Sequence, residues 1–187
     1  MAQRPVFSPD DGALVREDLV QFEWHPGFAR VQKLRSIEAL HSSARDQVAL
    51  APLLEVSTKS PERLGVQLSA FNLRIQTAHF DRPISIEAAF QGSKIFRESG
   101  QLSHIYKIES GKEIKTLIRE IGDQPLTGFR FEGREWGLRP TTAFYDWLYL
   151  RALAELNSQD RQISELLRSM RGFTDIEYNP KKSLNCQ

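Results

Sequence analysis

The sequence predicts an α+β protein, a compact and helix-rich single domain with one small sheet. Helical spacing of apolar residues recurs along the chain, and the alternating segments are short and irregularly interleaved with it. The length of 187 residues, 40% of them hydrophobic, suits one core better than two.

The first alternating segment is Leu19 to Trp24, read as a strand that Pro26-Gly27 stops. Ser36 to Arg45 carries Ile37, Leu40 and Ala44 at helical spacing, with Ser36 as the expected N-cap. Leu53 to Ser57 reads as a short strand ended near Pro61, and Phe71, Leu73 and Ile75 give 68–77 strand character. A helix is expected from Ser85 to about Arg97, between Pro83 and Gly100. Lys112 to Ile121 is amphipathic through Ile114, Leu117, Ile118 and Ile121, and Gly122 ends it. Thr127 to Phe131 reads as a strand closed by a Glu132-Gly133 turn. Thr142 to Leu156 is apolar on most faces, which predicts a central, mostly buried helix. Ser158 to Arg171 is expected as a last helix closed by Gly172, and 173–187 shows no periodicity.

Charge and composition exclude several classes. A net charge of +1 is too balanced for a protein that grips nucleic acid by bulk electrostatics, so any such recognition must be local. The N-terminus lacks a basic-then-apolar leader, and no apolar run approaches the roughly 20 residues of a membrane span. The single cysteine, Cys186, has no internal partner, and a cytoplasmic protein is the plain expectation. No Gly-x-Gly-x-x-Gly motif follows a strand and no Walker loop occurs. His25, His41, His79 and His104 lack metal-ligand spacing, so neither a metal nor a cofactor is implied.

The informative stretch runs from Pro83 to Phe96. On a helix, Glu87, Phe90, Gln91 and Lys94 fall at i, i+3, i+4 and i+7 and so share one stripe. Acid, aromatic, amide and amine are costly to bury unless each is satisfied. Most charged helix residues are simply solvated; the stripe is distinguished by its combination of groups.

Residues 85–94, Ser-Ile-Glu-Ala-Ala-Phe-Gln-Gly-Ser-Lys, resemble the Thr-Val-Glu-x-x-Phe-Gln-x-x-Lys signature of the NADAR (YbiA-like) family. Leu68-Ser69-Ala70-Phe71-Asn72 is similar to that family's Ser-Asn-Phe segment, with Ala70 in place of Asn and Asn72 nearby. Phe173 to Asn179 falls where the family has Asp-x-x-Trp-Gly, Tyr178-Asn179 replacing Trp-Gly. The two chain ends, 22–38 and 175–187, are similar to the subgroup encoded beside DarT-type toxins, which attach ADP-ribose to guanine in DNA. On this resemblance, residues 1–50 are a subgroup-specific extension of one domain spanning 1–187.

The resemblance implies an ADP-ribosyl-guanine glycohydrolase that strips ADP-ribose from DNA as the antitoxin of a DarT-type toxin. A small-molecule N-glycosidase acting on ribose-phosphate intermediates of the riboflavin pathway is the alternative within the family. A non-catalytic antitoxin that blocks its toxin by contact is a third reading. The implied catalytic residues are Glu87 as acid/base, Lys94 or Lys33 as an amine nucleophile, and Asp175 as a second acid/base. Ser69, Asn72, Phe90, Gln91, Trp136 and Tyr178 are the expected substrate contacts. Asp175 equally suits an Asx turn after Gly172, and Trp136 equally suits packing against the long helix.

Overall fold

A computed structural model describes residues 1–178. Asn179, Cys186 and the rest of the C-terminal motif therefore lie outside the described residues. In chain order the first elements are β1 (Ala2–Asp10), β2 (Leu14–Phe22), α1 (Arg30–Val48), β3 (Leu53–Glu55), α2 (Arg63–Leu68), β4 (Arg74–Ile75) and β5 (Ile84–Ser85). Then come α3 (Ile86–Ser93), β6 (Lys94–Phe96), β7 (Gly100–Gln101), a 3₁₀ turn (Ser103–Lys107), α4 (Gly111–Ile121) and β8 (Leu126–Phe131). The last are β9 (Arg134–Trp136), α5 (Ala143–Gln159), α6 (Arg161–Ser169) and β10 (Gly172–Thr174). The class is α+β, with three small sheets where the sequence pattern marks one. The described residues divide into two compact units, 1–69 with 160–178, and 70–159.

The first unit is built on a sheet of order β2-β1-β10-β3. β1 and β2 form a hairpin in register from Ala2↔Phe22 to Asp10↔Leu14. Its turn is an Asx turn: Asp10 Oδ1 accepts from Gly12 N at 2.9 Å and Ala13 N at 2.7 Å. Val6, Val20 and Phe22 pack against Ile37, Leu40 and Ala44 of α1, the stripe expected from the sequence. The helix starts at Arg30, so Ser36 is not its N-cap. Ser36 lies buried within α1, where its hydroxyl accepts from His25 N (3.0 Å) and donates to His25 O (3.3 Å), pinning the preceding loop. Residues 172–174 form no helix end: Gly172 opens β10, parallel to β3 and antiparallel to β1.

The second unit centres on an aromatic cluster. Phe90 of α3 meets Phe129 of β8 (ring centroids 5.3 Å apart) and Phe144 and Tyr145 of α5 (6.1 and 5.3 Å). The sheet order is β7-β6-β8-β9, and Glu132 and Gly133, both at positive φ, make the tight β8–β9 turn that the Glu-Gly pair predicts. α5 buries Phe144, Leu148 and Ala152 but leaves Leu150 64% exposed. It is a one-sided helix and not the buried central rod its composition suggested. The region 68–77 is mostly irregular, with only Arg74–Ile75 extended, because α2 takes its first residue and a turn takes Phe71-Asn72.

Candidate active site

Helix α3 begins where Ser85 stops the preceding strand. The Ser85 hydroxyl accepts from Ala88 N at 3.2 Å, an N-cap. Two further first-turn amides donate outward, Ile86 N to Leu73 O (3.0 Å) and Glu87 N to Ala70 O (2.9 Å). These bonds tie the helix start to the 70–73 segment and fix Glu87 beside it. Glu87 is half-buried, and its Oε1 accepts from Gln91 Nε2 at 3.1 Å. Burial raises its pKa above the ordinary carboxylate value, against the Gln91 hydrogen bond and the charges of Lys115 and Lys94. Gln91 Oε1 is buried with no hydrogen-bond partner among the described residues, so this acceptor is unused by the protein itself.

Lys94 departs from the expected helical stripe. The helix ends at Ser93, whose hydroxyl donates to Ala89 O at 2.6 Å, and Lys94 takes an extended conformation as the first residue of β6, paired with Phe129. Its ammonium nevertheless lies 5.0 Å from the Phe90 ring centroid and its charge acts on Glu87. Lys94 is buried at 7% exposure. Phe90, expected to stack on substrate, is a core residue at 3% exposure with its neighbours already supplied by Phe129, Phe144 and Tyr145. Trp136 also packs inward, 5.5 Å from Phe144 and 5.1 Å from Trp147, as its alternative reading held. Asn72 is exposed in the turn after Phe71.

Lys115 of α4 was not marked by the sequence, because it sits on the polar face of an amphipathic helix. Its Nζ lies 4.9 Å over the Phe71 ring and its charge reaches Glu87. Phe71 is seated against the first residue of that helix: a Cβ on Gly111 would stand 2.6 Å from the Phe71 ring. Lysines 94 and 115 therefore face one half-buried acid.

The remaining expected residues lie in the first unit. Ser69 is buried and donates to Val66 O at 2.8 Å. Lys33 of α1 is half-buried, its Nζ 4.8 Å over the Trp24 ring, which Arg4 also contacts at 5.5 Å. Asp175 Oδ1 accepts from Glu177 N (2.8 Å) and Tyr178 N (3.2 Å), so the Asx turn is present. Burial lifts the Asp175 carboxyl to about 6, with the Arg4 charge opposing. Tyr178 contacts Phe7, with ring centroids 6.3 Å apart. Sequence reasoning also missed Glu55, which is fully buried in β3. Thr174 Oγ1 donates to it at 2.7 Å and Ile176 N at 2.9 Å, and burial pushes its carboxyl up to about 7. An acid inside the run Leu53-Leu54-Glu55-Val56 was the available signal. The described residues hold no group of three His, Cys, Asp or Glu side chains placed to take a metal ion. No described helix is long and apolar enough to cross a membrane.

An α+β chain carrying the Glu-x-x-Phe-Gln-x-x-Lys segment at such a site is a NADAR protein. More particularly, the family of DarT1-associated NADAR antitoxins matches residues 2–187, and the chain belongs to it. Membership gives the protein a toxin–antitoxin role with a DarT-type toxin as its counterpart. No curated protein matches the chain.

Proposed function

We propose that the protein hydrolyses the bond between ADP-ribose and the exocyclic amine of guanine in DNA, and so reverses the toxin's modification. The observation that carries this reading is Glu87: a half-buried carboxyl with a raised pKa, beside one unused amide acceptor and two ammonium groups. Cleavage of a glycosidic C–N bond needs a proton for the departing nitrogen, and a half-buried carboxyl whose pKa burial raises is suited to supply it. The Lys115 ammonium close by suits the diphosphate of ADP-ribose, and the free Gln91 oxygen suits a ribose hydroxyl or a base N–H.

In the reaction, the ribose ring opens to an imine at the carbon bonded to guanine nitrogen. The Lys94 ammonium passes a proton to the opened ring oxygen and its amine adds to that carbon; the guanine nitrogen leaves with a proton from Glu87, which takes one back from the lysine nitrogen. The lysine imine that results is hydrolysed by water to free ADP-ribose and lysine. Lys33 is a second candidate for the amine, favoured by its half-buried position on the Trp24 ring. Asp175 is the acid that would accompany it, since Arg4 touches Trp24 and acts electrostatically on Asp175.

Borohydride trapping on an oligonucleotide carrying ADP-ribosylated guanine tests the chemistry. Reduction during turnover is expected to leave a stable protein–ADP-ribose adduct, lost in Lys94→Arg and kept in Lys33→Arg. The reverse pattern moves the amine to Lys33. An active protein with no adduct in any form excludes a lysine imine and leaves direct attack by water.

A further inference from the structure

On the second unit, away from the Glu87 side chain, lies an open cleft of about 340 Å³ that no step above uses. Glu87, Gln91 and Lys94 do not line it. Its walls are aromatic: Phe80 and Tyr106 meet edge to face with ring centroids 5.4 Å apart, and Phe131 stands 6.0 Å beyond Tyr106. Tyr106 is held rigidly. Its hydroxyl accepts from Gln101 Nε2 (3.1 Å) and lies 3.1 Å from Arg130 O and 2.9 Å from Ser93 Oγ, and its ring would stand 2.5 Å from a Cβ on Gly92.

The polar groups of the cleft are not all used by the fold. Thr77 is 5% exposed and its Oγ1 has no partner among the described residues. Gln101 Nε2 lies within hydrogen-bond distance of Gly92 O, Arg130 O and Tyr106 Oη, while among the described residues no hydrogen bond uses its amide oxygen. The charges lean one way. Lys107 and Arg130 lie on the lining; Arg130 is paired with Glu135 at 2.7 Å, and Lys107 makes no ion pair among the described residues. The single lining carboxylate, Glu132, already accepts from Arg151 Nη1 (2.5 Å) and Ala78 N (3.3 Å). The lysine's own backbone is fixed, because Arg82 donates to Lys107 O at 3.3 Å.

Preformed aromatic walls, an unused acceptor and hydroxyl, and a cation at the rim match one kind of ligand: a flat heterocycle carrying a phosphate. We propose that this cleft binds a nucleotide, its base against the Phe80 and Tyr106 rings, which Phe131 backs, and its phosphate at Lys107. The two sites share helix α3, since Ser93 and Gly92 back the cleft while Glu87 and Gln91 carry the acid site. Eight residues of helix span roughly 12 Å, so one strand can engage both. Placing the nucleotide on the modified strand rests on the nucleic-acid reading above; nucleotide binding by the cleft does not.

The test is binding, so it registers separately from catalysis. A fluorescently labelled, unmodified single-stranded oligonucleotide is titrated with wild-type protein and with Lys107→Glu and Phe80→Ala across a range of salt, and GMP is titrated by calorimetry. Lys107→Glu, an exposed change, is expected to weaken oligonucleotide binding about tenfold at low salt and to lower the salt slope by about one. Phe80→Ala should weaken it with an unchanged slope, its fold checked by circular dichroism. Loss of GMP binding in both variants, with oligonucleotide binding untouched, would assign the cleft to a free nucleotide. Wild-type affinity of both variants for both ligands would overturn the proposal.

Discussion

Burial raises the pKa of both Glu87 and Glu55, in different surroundings. Glu87 is half-buried and accepts from Gln91; Glu55 is sealed, with Thr174, Ile176 and Ser57 as its partners. The His41 imidazole, depressed to about 4 chiefly by burial, stays neutral and meets Thr174 Oγ1 at 2.9 Å. Glu55, Thr174 and His41 thus form a buried chain that holds together without a net charge when Glu55 is protonated. A carboxyl whose folded pKa is raised contributes stability fully below its unfolded value, and the contribution is lost as pH rises through the folded value. For Glu55 that window runs from 4.5 to about 7. His41 acts in the opposite sense as pH falls from 6.5 toward 4, so the comparison must be made against a variant. Glu55→Gln, which cannot ionise, is expected to match the wild type at the acid end and to exceed it above pH 7 by on the order of 3 kcal/mol. Thermal melts across pH would show the two curves diverging; parallel curves would mean that Glu55 does not titrate in this range.

Among the elements, α3 shows what a sequence carries and what it does not. Its start was legible, because a Ser-x-x-Ala-Ala run after Pro83 encodes a cap that acts locally. Its end was not. Nothing near Lys94 breaks a helix; the chain turns extended because Lys94 and Ile95 pair with Phe129 and Gly128, more than thirty residues away. Glu87, Phe90 and Gln91 share α3 as the spacing predicts, but Lys94 reaches Glu87 from β6 and not as the fourth residue of a helical stripe. β1 was missed for a related reason. Pro5 and Pro9 interrupt the usual strand pattern, and the strand is defined by its full-length register with β2. Two substitutions probe α3 itself. Ser85→Ala should cost about 1 kcal/mol, read as a lower midpoint in urea. Gly92→Ala would put a methyl 2.5 Å from the Tyr106 ring, so it should cost more and also shift the near-ultraviolet signal of the aromatic cleft. A Gly92→Ala protein with wild-type spectrum and stability would refute the close contact.

At the scale of the whole molecule, the α+β class and the family were both legible, because helical periodicity and one ten-residue segment are local properties of the chain. The grouping of 160–178 with the N-terminal residues was not: β10 lies between β1 and β3 through pairings that span most of the sequence. Residues 1–50, expected as an extension, are woven with β3 and β10 into one sheet and one core. Family membership alone leaves open whether an antitoxin of this kind acts by contact or by chemistry. The reading proposed above takes the second course, with the half-buried Glu87 as its acid. The decisive measurement is release of ADP-ribose from DNA bearing ADP-ribosylated guanine, with protein well below substrate concentration. Wild type should free many equivalents of ADP-ribose per protein and restore unmodified guanine, and Glu87→Gln should slow this by a factor on the order of 100 to 1,000. Stoichiometric protection without release, or full-rate release by Glu87→Gln, would contradict the account.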